Sequence, residues 1–201
     1  AEKLELSGNL DAVWEILQTN TASPIYGLQF FGQDKSDAYL SQYHLDFYLN
    51  GDYRYKKVGF TMRTFSQYTK EGSLELSFYE LYGSLNISPR LTFDVGKRRY
   101  NWGKGYAFNT VNFVSRPKDP DDPTEPVEGY YLAVADSIKS FGGPLKTLAL
   151  TPVILTVTKS INDKFGELDH INFAAKLYGL LWDTDIDLLC FTGESRTTRY
   201  G

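Results

Sequence analysis

The chain of 201 residues has one cysteine, Cys190, one methionine and two histidines. A single thiol excludes an internal disulfide framework, and it fits export through an oxidising compartment without requiring it. No stretch approaches the roughly 18 consecutive apolar residues of a spanning helix. That absence leaves β-strand spans open, because such strands dilute their apolar residues with polar ones. A basic excess is also missing. The 21 Lys and Arg against 25 Asp and Glu give a net charge of −4, so no cationic face is expected for nucleic acid. The start, Ala1-Glu2-Lys3-Leu4, has no charged-then-apolar leader, and the expectation is a signal peptide already removed. Aromatic residues are plentiful, with 15 Tyr, 13 Phe and 3 Trp; in membrane barrels they gather at the two water–lipid interfaces. At 42% apolar the chain is not of the disordered class, and its length allows one β domain with a sizeable core.

The most informative run is Leu4 to Ile16. Leu4, Leu6, Gly8, Leu10, Ala12, Trp14 and Ile16 fall on one face, and Glu5, Ser7, Asn9, Asp11 and Glu15 on the other, with Val13 the one exception. This is the period of a strand, at a length closer to a bilayer crossing than to the five or six residues typical of soluble sheets. The same alternation recurs in Tyr39 to Asn50, Tyr53 to Tyr68, Leu74 to Ile87, Leu91 to Gly96, Tyr130 to Ala135, Leu145 to Thr158, Ile171 to Tyr178 and Asp185 to Thr192. A short additional strand is conceivable at Ile25 to Phe31. Turns are expected at Asn50-Gly51-Asp52, Lys70-Glu71-Gly72, Ser88-Pro89, Gly142-Gly143-Pro144 and Trp182-Asp183-Thr184. A change of phase within Leu74 to Ile87 predicts a bulge near Phe78.

About nine antiparallel strands follow, joined up and down, with alternate connections short and long loops at 17–38 and 98–128. Short turns at one end and long loops at the other are the organisation of a transmembrane β-barrel. The expectation is therefore one all-β domain over 1–201, an incomplete up-and-down barrel that is part of a larger one, with its short turns toward the periplasm. A soluble barrel gives the same alternation with the apolar face turned inward. Strand length, loop asymmetry and charges on the polar face (Glu5, Asp11, Asp46, Arg63, Glu80, Asp94 and Lys176) favour the membrane form with a wet lumen.

The segment Val95-Gly96-Lys97-Arg98-Arg99-Tyr100-Asn101-Trp102-Gly103-Lys104-Gly105-Tyr106-Ala107-Phe108-Asn109, after Glu80-Leu81-Tyr82, resembles the strand and loop of Gram-negative outer-membrane porin-like barrels, including alginate-export-type channels. The resemblance implies an outer-membrane channel for passive passage or export of small or saccharide-like hydrophilic solutes. It implies contact with the lipid bilayer and lipopolysaccharide, room for a homo-oligomer, no cofactor and no enzymatic step. Such barrels normally close with an even strand count and a final aromatic residue. The ending Arg199-Tyr200-Gly201 after an odd count departs from that pattern and predicts missing strands. The competing class is an exported soluble all-β module that binds a glycan through its aromatics.

Within the long connection, Arg98, Arg99, Trp102, Lys104 and Tyr106 are the leading pore or constriction residues. A loop of this length is usually functional, and folded inward it narrows a pore and sets its charge. Asp46, Arg63, Glu80 and Asp94 complete the set from the polar faces of neighbouring strands, where such charges either tune selectivity or only satisfy one another. Weaker candidates are calcium at Asp119-Pro120-Asp121-Asp122 and an acid–histidine pair at His44 and Asp46. No nucleophile motif accompanies that pair and no metal is assigned. Cys190, among Leu188, Leu189 and Phe191, reads as an inert small hydrophobe.

Overall fold

A computed structural model of the chain describes residues 2–18, 20, 23, 24, 28, 39–70, 72–103, 111–117 and 127–201. Ten strands are bounded among them: β1 (Glu2–Gln18), β2 (Tyr39–Tyr55), β3 (Val58–Thr69), β4 (Leu74–Ser88), β5 (Leu91–Arg98), β6 (Tyr130–Ser140), β7 (Leu145–Val157), β8 (His170–Leu181), β9 (Thr184–Thr192) and β10 (Arg199–Tyr200). They form one antiparallel sheet in the order of the sequence. The expected all-β, up-and-down arrangement is present. The sheet is not closed into a barrel: β1 and β10 stand at opposite ends of the order and are not paired to each other. The nine anticipated strands are β1 to β9. β10 adds a two-residue bridge, Arg199 opposite Phe191 and Tyr200 opposite Cys190, whose brevity hid it from any periodic pattern. The run Ile25 to Phe31 lies outside the described residues apart from Leu28, which is helical.

The Asn50-Gly51-Asp52 turn is corrected. β2 runs straight through these residues and turns at Lys56-Lys57, with Lys56 at φ +52°. Gly51 is buried, and a Cβ there would meet Leu6 Cδ2 at 3.3 Å. Asp52 is held in the strand by Arg63, 2.7 Å away, and by a bond from Thr61 at 2.9 Å. Glycine thus serves close packing here, not reversal. Trp182 and Asp183 do reverse the chain, both at positive φ, as a two-residue hairpin requires. The register slip seen between β4 and β5 lies between Asn86 and Ser88, further along β4 than the bulge expected near Phe78.

The chain divides into two compact units. The smaller comprises Gly8–Leu49 and Phe65–Ser77. In it Leu10, Trp14 and Ile16 of β1 and Tyr43, Leu45 and Phe47 of β2 are exposed, whereas His44, Asp46 and Tyr48 are half-buried. The Tyr48 ring packs on Phe65 at 4.9 Å between centroids. Along β2 the apolar side chains are thus the more exposed and the alternating His44 and Asp46 the less, the reverse of a soluble sheet's pattern, whereas on β1 Asn9, Asp11 and Glu15 are exposed as well.

The larger unit comprises Ala1–Ser7, Asn50–Thr64 and Phe78–Gly201. Its register sorts the faces into rows. Val95, Ala133, Ile154 and Phe173 lie side by side on the outer face of β5 to β8, with Val95 63% and Phe173 51% exposed. One residue along, Asp94, Val134, Val153, Ala174 and Phe191 form an inner row, and all five are buried. The core sits on this inner face toward the long connections. Tyr130, Leu132, Leu155, Val157 and Leu189 join it from the strands, and Trp102, Phe113, Val114 and Phe165 cover it from the connections. Gly96 carries φ +135°, and a Cβ on it would collide with the Leu81 carbonyl, so β5 approaches β4 more closely there than any other residue would permit.

Candidate functional site

The site is where the β5–β6 connection crosses the inner face of the larger unit. β5 ends by placing Asp94 and Arg98 four residues apart on that face, and the two form an ion pair. The Arg98 guanidinium lies between the Tyr82 ring at 5.0 Å and the Tyr100 ring at 4.8 Å. Such stacking suits its planar, weakly hydrated charge. Across the face, Asp136 of β6 accepts bonds on both oxygens, from the Tyr100 hydroxyl at 2.6 Å and the Thr151 hydroxyl at 2.7 Å, with Arg98 3.9 Å away. Burial first, then the bond to Asp136, pushes the Tyr100 phenol well above its usual range. It therefore remains a neutral donor at all ordinary pH.

Beyond Tyr100 the chain turns inward. The Ser115 hydroxyl donates to the Tyr100 carbonyl, and the Trp102 N–H donates to Asn112 Oδ1 at 3.3 Å. The Trp102 ring is only 3% exposed and meets Tyr100 edge to face at 6.2 Å. Lys176 of β8 reaches the Trp102 carbonyl at 3.5 Å while pairing with Asp187 of β9 at 3.0 Å. Trp102 Nε1 is buried with no acceptor among the described residues, an uncommon cost for an indole. The return leg is held by Arg116, which pairs with Glu128 at 3.4 Å and stacks on Tyr130 at 5.0 Å. Lys97 pairs with the same Glu128 carboxylate at 3.2 Å.

Two further connections, β7–β8 and β9–β10, seal the neighbouring strands. Buried Asn172 of β8 donates to Ser195 Oγ at 2.9 Å and accepts from the Ser195 N–H at 3.3 Å. Ser195 in turn donates to the Glu167 carbonyl at 2.7 Å. Phe165 of the β7–β8 connection packs edge to face on Tyr130 at 5.0 Å, with Arg196 of the β9–β10 connection above its ring at 3.8 Å.

Of the residues singled out in the sequence, Arg98, Asp94 and Trp102 are brought together. Arg99 and Glu80 form a separate pair at 3.2 Å beside them, with the Arg99 N–H also donating to Glu80. Arg63 pairs with Asp52. Asp46 belongs to the smaller unit, 3.5 Å from His44 and bonded by Gln67 at 3.0 Å. Lys104, Tyr106 and the stretch Asp119 to Asp122 lie outside the described residues. Among the described residues Asp46, Arg63, Glu80, Asp94, Arg98 and Arg99 are each joined in a local pair. Sequence reasoning missed Asp136, Asp187 and the Asn172–Ser195 clasp. Asp136 was detectable, since it continues the even-numbered face of Tyr130, Leu132 and Val134 one residue past the expected strand end. Asn172 was not, because its burial depends on a loop that follows β9.

The described parts of the molecule thus define an antiparallel β-sheet with an apolar outer face and an inner face strapped by one long connection. No protein-family model, no curated protein and no solved structure matches the chain.

Proposed function

We propose that this chain forms the wall and constricting strap of a bacterial outer-membrane pore for small or saccharide-like hydrophilic solutes. The observation that carries the reading is the inversion of the faces. Large apolar side chains from β1 to β9 point outward (Leu4, Leu6, Leu45, Phe60, Val95, Ile154, Phe173 and Leu188 among them), while ionised side chains pair on the inside. Water does not favour so extended an apolar patch, and hydrocarbon does. The strap supports a filter, because Tyr100 to Gly103 and Val111 to Pro117 pack on the side of the sheet that would face the lumen. Lipid leaves no sheet edge unpaired. The reading therefore requires strands from elsewhere, or from copies of this chain, to complete the ring beyond β1 and the short β10.

The deciding experiment is single-channel conductance of the refolded chain in planar bilayers. Discrete, stable steps are expected, and removing 104–126 should enlarge them while the Trp102 anchor is kept. A chain that stays water-soluble without detergent and never conducts overturns the reading and favours the exported glycan-binding module.

A further inference from the structure

The turns that join β2 to β3, β4 to β5, β6 to β7 and β8 to β9 all lie in the larger unit. In an antiparallel sheet of sequential order these four turns fall at one end. With neighbouring strands about 4.8 Å apart, they follow one another at about 10 Å. Within two residues of the turns stand Arg54, Lys56, Lys57, Arg90, Lys139 and Lys146, against the acids Asp183 and Asp185. Six cations to two acids is a local reversal in a chain of net charge −4. All six cationic residues are exposed.

Both acids are engaged. Asp183 pairs with Lys146, and Asp185 accepts the Tyr178 hydroxyl at 2.6 Å. Arg90 has no side-chain partner among the described residues. Among the described residues Lys56 and Lys139 meet only rings, those of Tyr55 at 5.2 Å and Phe141 at 5.0 Å, and Lys57 donates to a main-chain carbonyl, that of Ile87, at 3.1 Å. Tyr55, Phe141 and Trp182 are themselves exposed at this end, Trp182 by 71%. An aromatic body beside a long cationic stem matches the layer where acyl chains meet headgroups.

We propose that this short-turn rim docks on the headgroups of an anionic phospholipid surface, with Lys56, Lys57, Arg90 and Lys139 as the cationic contacts. The inference rests on the membrane reading but not on a conducting pore. Charge complementarity selects the ligand: the turn spacing is close to one Debye length at physiological salt, so successive cations act together on a negatively charged layer. Each cation held near such a surface contributes about fivefold in partitioning.

The test partitions the full chain from detergent into two kinds of vesicle, pure phosphatidylcholine and phosphatidylcholine with about 30 mol% phosphatidylglycerol, at low and high salt. The native chain should prefer the anionic vesicles, with the preference shrinking in high salt. K56Q/K57Q/R90Q/K139Q should lose more than tenfold of that preference while inserting into pure phosphatidylcholine as before. K159Q/K164Q, at the opposite end, should retain it. Equal partition into both vesicles overturns the rim proposal and leaves the membrane reading intact; failure to enter either overturns the membrane reading itself. If the fourfold substitution changes only self-association in detergent, the rim is a contact between copies and the proposal fails.

Discussion

Asn172 and Ala174 on one side of β8 are buried, whereas Ile171 and Phe173, their neighbours in sequence, are more than half exposed on the other. The buried side obeys the rules of a water-soluble core, with apolar side chains sealed under connections and a buried amide bonded to Ser195. The exposed side inverts them. On the proposed membrane reading one strand answers to two solvents, water-excluding packing on one face and hydrocarbon on the other. The middle of the inner face adds a third character. Thr151, Asp136, Lys176 and Asp187 are polar but mutually bonded, which suits a surface wetted by water and crossed by a tethered segment.

The comparison can be broken most severely on the buried side. Trp102→Ala removes the largest side chain of the connection from the inner core and should cost about 3–5 kcal/mol. Hydrogen exchange is expected to accelerate across 100–103 and 111–117 while β7 and β8 stay protected; uniform acceleration would mean that the strap and the sheet unfold as one. The outer face is tested by Leu150→Arg, at the middle of β7 beside Leu177. In a bilayer this should destabilise by about 2–4 kcal/mol, measured by urea titration of the chain folded into vesicles. A near-neutral result would place that face in water and dissolve the contrast.

A smaller and more specific effect is expected from Tyr100→Phe, which removes the bond to Asp136 and should loosen the strap by about 1.5–3 kcal/mol, the range for a bond to a charged acceptor. The sign of its pH dependence follows from the raised phenol. The folded state favours the neutral form, so the stabilisation is complete below the ordinary tyrosine range and declines as pH climbs above it. Stability of the native chain should therefore fall more steeply above about pH 10 than that of Tyr100→Phe. Parallel curves would show that the Tyr100–Asp136 bond contributes nothing to holding the connection.

Much of this fold was legible because a period of two is written locally. β1, β4, β7, β8 and β9 lie within a few residues of their expected limits, since each alternates without help from its neighbours. The Asn50-Gly51-Asp52 misreading shows the limit of local signals. The tripeptide has turn chemistry, but Leu6 and Arg63, remote in sequence, make an extended glycine and an inward aspartate the better arrangement. In the site, Asp94, Arg98 and Trp102 were recognisable by type and spacing. Their partners Tyr82, Asp136 and Lys176 come from three other strands, and no spacing rule links those.

What the amino-acid sequence determined by itself is the existence of long two-faced strands, their up-and-down order and the one long connection, because backbone pleat and turn chemistry act over a few residues. Which face turns outward, where the connection lies and which charges neutralise one another were decided only in the tertiary structure. Alternation is symmetric between inside and outside. The symmetry breaks only when strands distant in sequence are brought into register and a connection settles on one of the two faces.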